Sequence, residues 1–274
     1  MRHFRQLMAA AAAAILTASL AGTPVLAAGS STQAYIDANN RALVSCYGHP
    51  QLYNEDINIY YGQHRPTSLE RGGTVYADKG RTQVDPHLGF YTEDYIWTYD
   101  AAGNLAHTDG SLGDAGSFAY DASGYVLAAA NADTDGTLTQ TSLTYTYNEA
   151  GQITGMTSTS SEWANTFTYD QYGRISDMNG TTQDGHTSNN HYTYKNNRLV
   201  KAVYTNDGAV TLQRNYTYNS AKQLTKVTGS DGTEFTYTYN ADSSLASCHE
   251  YYAIAPQEEG DAVTYADEYY NYSY

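Results

Sequence analysis

From residue 97 onward, apolar and polar positions alternate in short runs, and each run closes on an aromatic residue, a small residue and a tyrosine. The closing tyrosines are Tyr99, Tyr120, Tyr147, Tyr169, Tyr194, Tyr218, Tyr239 and Tyr274, spaced by 21, 27, 22, 25, 24, 21 and 35 residues. Two positions before each stands another aromatic: Trp97, Phe118, Tyr145, Phe167, Tyr192, Tyr216, Tyr237 and Tyr272. A period of two is the strand signature. It sends both aromatics of a run to one face and the residue between them, usually Thr, to the other. Recurrence at this spacing marks a repeat architecture.

Turn chemistry follows each run. Asp100, Asp121, Asn148, Asp170, Asn219 and Asn240 come directly after the tyrosine, with Lys195 as the departure, and Gly103, Gly124, Gly151 and Gly173 complete the earlier turns. A side-chain oxygen there bonds the backbone ahead, and glycine takes the positive φ that finishes the bend. Apolar Leu105, Val126, Ile153, Ile175, Leu199, Leu224 and Leu245 then open a second run on the face of the tyrosine. One unit therefore reads strand, turn, strand. Five of the connections between units carry Asp-Gly, at 109–110, 135–136, 184–185, 207–208 and 231–232. That dipeptide is a hairpin signal, so consecutive units should join in one antiparallel meander of roughly fifteen strands. Such a sheet should curl or coil, enclosing its Tyr/Leu face and wetting its Thr face. Where the turn glycine is lost, at Asn197, Lys222 and Ser243, different turns are expected.

Upstream the pattern weakens. Residues 31–44 lack strict alternation, and Ala34, Tyr35, Ile36, Ala38, Ala42 and Leu43 suit one face of a short helix that covers an end of the sheet. Strand candidates follow at 57–61, 74–77 and 88–91, divided by Pro and Gly punctuation. Residues 1–28 read as a signal peptide: Arg2 and Arg5 precede an apolar run, and small residues fit a cleavage site near Ala27 or Ala28. The division is therefore a signal at 1–28, a cap with divergent repeats at 29–95, and the repeat sheet at 96–274.

Composition sharpens this all-β reading. Tyrosine supplies 29 residues against 5 Phe and 2 Trp, so the aromatic surface comes with hydroxyls attached. Charged residues make up 16%, and the formal net charge is −15. Removing 1–28 takes away two Arg and no acid, leaving 12 Lys+Arg against 29 Asp+Glu, a net of −17. Clustered cations for phosphate are missing, which argues against nucleic acid. No later apolar stretch is long enough to span a bilayer as a helix. The chain is expected to be secreted or to sit in the cell envelope.

The repeat units resemble a known family. Tyr99-Asp100-Ala101-Ala102-Gly103-Asn104-Leu105, Tyr120-Asp121-Ala122-Ser123-Gly124 and Tyr169-Asp170-Gln171-Tyr172-Gly173-Arg174-Ile175 are similar to the Tyr-Asp-x-x-Gly-Arg-Leu unit of the YD repeats in bacterial Rhs-type and wall-associated proteins. The likeness covers about residues 97–274. It implies coiled β-sheets that enclose a toxin or form extracellular, sometimes carbohydrate-contacting, surfaces. It also implies, as an alternative, a partial casing or accessory component related to Rhs toxin-delivery shells.

Little in the chain points to chemistry. The histidines His49, His64, His87, His107, His186, His191 and His249 show no metal-ligand spacing, and His3 lies in the signal. Residues 131–136 begin like a calcium loop, but Ser142 stands where the bidentate acid belongs, so an ordinary turn is expected. There is no Gly-x-Ser-x-Gly elbow or phosphate loop. The expectation is a non-enzymatic structural or interaction protein without cofactor, whose partner is a glycan or another surface or secreted protein. Tyr60, Tyr61, Tyr251, Tyr252, Tyr269 and Tyr270 are the candidate ligand-binding aromatics, while the repeating pairs, with Trp163, belong to the core. Cys46 and Cys248 both lie in the exported portion, where disulfides persist. Pairing them closes a loop of roughly 200 residues, which stabilises by about 5 kcal/mol in the loop-entropy model, and two buried thiols are the alternative.

Overall fold

The computed structural model describes residues 31–45, 65–85, 91–133, 135–159, 161–254 and 262–274. The expected signal peptide, strand 57–61, Tyr60, Tyr61, Cys46 and the acidic stretch 257–261 lie outside them. Helix α1 spans Ser31–Ser45, where a short helix was expected. The strands are β1 (Ser68–Tyr76), β2 (Tyr91–Tyr99), β3 (Leu105–Gly110), β4 (Ala115–Tyr120), β5 (Val126–Ala132), β6 (Leu138–Tyr147), β7 (Ile153–Ser158) and β8 (Ser161–Tyr169). They continue as β9 (Ile175–Thr181), β10 (Thr187–Lys195), β11 (Arg198–Asn206), β12 (Ala209–Tyr218), β13 (Leu224–Gly229), β14 (Glu234–Tyr239), β15 (Leu245–Ile254) and β16 (Thr264–Ser273).

Every strand pairs antiparallel with its sequence neighbour, and β1 also pairs with β16, so the sheet is a closed barrel. This corrects the curled or coiled sheet expected from the repeats. The closing strand comes from residues 68–76, inside the stretch read as a cap with divergent repeats, where the Tyr-Asp-x-x-Gly unit is absent. Ser68 to Tyr76 nevertheless meets β16 along its whole length, from Ser68↔Ser273 to Tyr76↔Tyr265.

The two faces divide as alternation requires. Leu105, Val126, Ile153, Ile175, Leu199, Leu224 and Leu245 face inward and are between 0% and 6% exposed, a burial that contributes about 1.5–3 kcal/mol for each. Trp97, Phe118, Phe167, Tyr192, Tyr216 and Tyr237 join them in one continuous core. Outward, β8 presents Glu162, Ala164, Thr166 and Thr168, and β12 presents Thr211, Asn215 and Thr217, all exposed. The apolar side of these strands is their inside, the reverse of a lipid-facing barrel.

Two features make closure possible. At seven of the eight repeat tyrosines the register slips by one residue: Thr98/Tyr99, Ala119/Tyr120, Thr146/Tyr147, Thr168/Tyr169, Thr193/Tyr194, Thr217/Tyr218 and Thr238/Tyr239. A bulge repeated at one level adds twist and bend in every unit. The turns then hold as expected: Asp170 Oδ1 accepts the amides of Tyr172 and Arg174, and Gly173 sits at φ 79°. Lys222 (φ 66°) and Ser243 (φ 73°) adopt the glycine conformation and make the same turn bonds, to Asn219 O and Asn240 O. Of the three positions that lost glycine, only the turn at 195–198 is of a different kind, with positive φ at both Asn196 and Asn197. The Asp-Gly signal holds at four places, but Gly110 ends β3 and Gly113 takes the positive φ there.

Helix α1 docks at the tight-turn mouth. Ile36, Ala38, Asn39, Asn40, Leu43 and Val44 are all buried, and this covers more than one side of the helix. Asn40 Nδ2 donates to Gly173 O at 2.8 Å, and the Ile175 amide donates to Asn40 Oδ1 at 3.0 Å. Asn39 Nδ2 reaches the Tyr194 hydroxyl at 3.3 Å.

Candidate functional site on the outer face

Alternation along β15 and β16 divides the predicted aromatics. Tyr251 and Tyr269 point outward. Tyr270 points inward and is buried, paired across the ladder with Cys248 and Arg71, so it is no ligand platform. Tyr252 also faces the lumen, where its hydroxyl donates to Glu268 Oε1 at 2.7 Å. Adjacent tyrosines cannot share one face of a strand, which is why each of these two pairs is split.

Tyr269 lies across Gly72 of the neighbouring strand. A Cβ built on Gly72 would stand 2.5 Å from the Tyr269 hydroxyl oxygen and 2.6 Å from Cζ, so only glycine lets the ring lie down on β1. The ring therefore packs on backbone, and Tyr269 is half-buried on the outer side of β16. His249, directly opposite Tyr269 on β15, has its ring centroid 6.3 Å away. Asn271 Nδ2 donates to Glu70 Oε2 at 3.2 Å, and Glu70 stands directly opposite Asp94 on β2. The result is an aromatic plate with a rim of carboxylate, amide and imidazole.

Tyr251 is differently employed. Its ring runs parallel to that of Tyr265 within 8°, centroids 6.0 Å apart, and the Arg81 guanidinium lies 4.6 Å from its centroid. Its hydroxyl donates to Lys79 O at 3.0 Å. Arg81 also binds Asp267 at 2.8 Å, a contact that raises the guanidinium's already high pKa. The hairpin that follows β1 is thereby strapped over this part of the face. Sequence reading missed Gly72, Glu70, Asp94 and Tyr265, because their roles depend on which strands pair across the seam.

Inside the barrel, the same seam is polar. Glu268 accepts from Tyr252, from Tyr270 at 2.8 Å and from Arg71 at 3.1 Å. Burial alone raises its pKa, but these hydrogen bonds and the Arg71 charge outweigh that and hold it below the ordinary 4.5. Glu93 goes the other way, pushed up by burial and by the neighbouring Asp114 carboxyl. Among the described residues no group of three or more His, Cys, Asp or Glu side chains can hold a metal ion.

The remaining candidates are ordinary surface features. Gly136 N donates to Asp133 O, and Asp133 N donates to Thr137 O, as in an ordinary turn. His186 sits between Asp207 at 2.9 Å and Asp184 at 3.5 Å, and the Asp207 hydrogen bond raises its pKa. His191 pairs with Asp177 at 2.8 Å. Trp163 is half-buried on the inward parity of Phe167, as its spacing suggested. Tyr147 departs from its repeat: it is 43% exposed and bonds Asp121, while Tyr145 takes the carbonyl of Val126 instead.

No protein-family model and no curated protein matches the chain. Among solved structures, it is similar to a porin-like protein from Bacteroides uniformis ATCC 8492, with 17% identity over 76% of this chain and 97% of that one, at a TM-score of 0.47. The TcdB2-TccC3-Cdc42 structure is similar over 66% of this chain and 10% of that chain, with 19% identity and a TM-score of 0.32. TcdB2-TccC3-TEV is similar over 62% and 9%, with 17% identity and the same TM-score. The chain thus spans about a tenth of the length of the TcdB2-TccC3 chains.

Proposed function

We propose that this closed β-barrel is a non-enzymatic binding module of the cell envelope or the surroundings of the cell, and that its outer face at the β15–β16–β1–β2 seam takes carbohydrate. The observation that carries this reading is the Tyr269 ring laid on Gly72 on the outer side of the barrel. A flat aromatic face packs on the apolar face of a pyranose, while rim groups such as Asn271, Glu70 and His249 bond its hydroxyls. The polar exterior suits a barrel that works in water, and the lumen holds helix α1 at one mouth. A casing role around another polypeptide gains no support from a lumen whose inward side chains already form one continuous core with helix α1 docked at one mouth.

Glycan-array binding by the purified protein, repeated with Tyr269→Ala, tests the reading. The expected result is binding to a defined set of glycans that Tyr269→Ala abolishes and Tyr147→Phe, far around the barrel, leaves intact. Binding unchanged in Tyr269→Ala, or no glycan bound at all, overturns it.

A further inference from the structure

The rim of the Tyr269 plate carries more negative charge than a neutral sugar requires. Glu70 and Asp94 are directly opposed across the β1–β2 ladder, both outward and both exposed. Like charges placed directly opposite destabilise a sheet, and a local choice that works against the fold is a mark of function. The outward positions of β15, β16, β1 and β2 add Asp267 and include no Lys or Arg. Arg81, which reaches in from the neighbouring hairpin, is bound to Asp267 and lies over Tyr251. The Glu70 and Asp94 pair therefore faces solvent beside the plate without a cationic partner among these positions.

We propose that the site selects an amino sugar, a hexosamine whose amine is free and protonated, and rejects uronates. The sugar's apolar face packs on Tyr269, and its ammonium is placed between Glu70 and Asp94. The position fits: Glu70 is two residues along β1 from Gly72, and Asp94 is two residues along β2 from Thr92, the partner of Gly72. An ammonium there relieves the repulsion between the two carboxylates, so ligand and fold favour the same charge. This inference rests on the carbohydrate reading above and goes on to name the sugar class.

Calorimetric titration with three probes separates the two claims: a chitosan hexasaccharide with free amines, its fully N-acetylated counterpart, and an oligogalacturonate. The free-amine probe should bind best and lose affinity with added salt, and oligogalacturonate should not bind. The double variant Glu70→Gln/Asp94→Asn should weaken free-amine binding roughly tenfold and weaken the acetylated probe, which has no ammonium to pair, by far less. Glu149→Gln/Glu162→Gln removes the same charge elsewhere on the surface and should change neither. Equal losses in both double variants would mean bulk attraction to an acidic protein, and would overturn the proposal. Equal affinity for the acetylated and free-amine probes, both lost in Tyr269→Ala, would overturn the amino-sugar claim alone. Binding of any probe that Tyr269→Ala leaves unchanged, or no binding, would overturn both.

Discussion

The Tyr169 hydroxyl donates to the main-chain carbonyl of Ile153 at 2.8 Å, two residues beyond Gly155↔Thr166, the last pair of the β7–β8 ladder at that end. The side chain continues the ladder where the backbones part. The same bond recurs from Tyr120 to Leu105, Tyr194 to Ile175, Tyr218 to Leu199, Tyr239 to Leu224 and Tyr274 to Leu245. A barrel pinched by bulges at one level leaves carbonyls there, and the repeat tyrosine answers them. Tyr169→Phe keeps the ring and strands the Ile153 carbonyl, so urea unfolding should show a loss of about 1–2 kcal/mol. Tyr147→Phe, whose hydroxyl is outside this ladder, should change stability by no more than about 0.5 kcal/mol.

Asn40 joins the helix to the barrel with both ends of its amide. Asn40→Ala removes the acceptor of the buried Ile175 amide and the donor to Gly173. A loss of about 2–3 kcal/mol is expected, with faster hydrogen exchange at the Ile175 amide as the local reporter.

Lys222 and Ser243 hold a left-handed backbone conformation that costs an L side chain about 1–2 kcal/mol, part of which glycine gives back as chain entropy. Lys222→Gly and Ser243→Gly should each raise stability by about 0.5–1 kcal/mol, measured by thermal unfolding. Gly173→Ala should do the reverse.

The inner seam sets two pH dependences of opposite sign. Glu268 is held below 4.5, so the folded state binds its proton less readily than the unfolded chain. Its contribution is fully present above pH 4.5 and is lost as pH falls through the depressed value. Glu268→Gln should cost about 2–3 kcal/mol at pH 7 and flatten the acid limb of the stability curve. Glu93 is raised, so the folded state is penalised as pH climbs above 4.5. Glu93→Gln should gain stability at pH 7 and gain nothing at pH 3.

Cys248 is buried on the inner face opposite Tyr237 and Tyr270, in the core cluster that includes Val44 near the end of helix α1. The proposed pairing with Cys46 is checked by intact mass with and without reductant. Two hydrogens fewer in the unreduced protein, and a stability loss of up to about 5 kcal/mol on reduction, are the expected outcomes.

Much of the fold was legible because the repeat carries its own instructions. Tyr99 to Leu105 states strand, bend and return in seven residues, and the parity of Trp97 and Tyr99 gives the inward face. The bulge was also written there: the inward residues after each turn are Leu105 and Thr108, Ile153 and Met156, Ile175 and Met178, three apart where a regular strand requires two. Closure was not legible. It depends on β1 matching β16 some 200 residues away, and Ser68 to Tyr76 bears no mark of the repeat. The candidate site was half visible for the same reason. Tyr269 stands out in the sequence, but nothing local says that Gly72 lies beneath it or that Glu70 meets Asp94.

The double pairing of β1 makes one short segment responsible for leaving the sheet without an edge. Without Ser68 to Tyr76, β2 and β16 would each present a full row of unanswered amides and carbonyls, and the ring would become a ribbon with two adhesive borders. Such ribbons add end to end without limit. A chain begun at residue 91 is therefore expected to keep its hairpins and to polymerise through them, the closed ring replaced by filament.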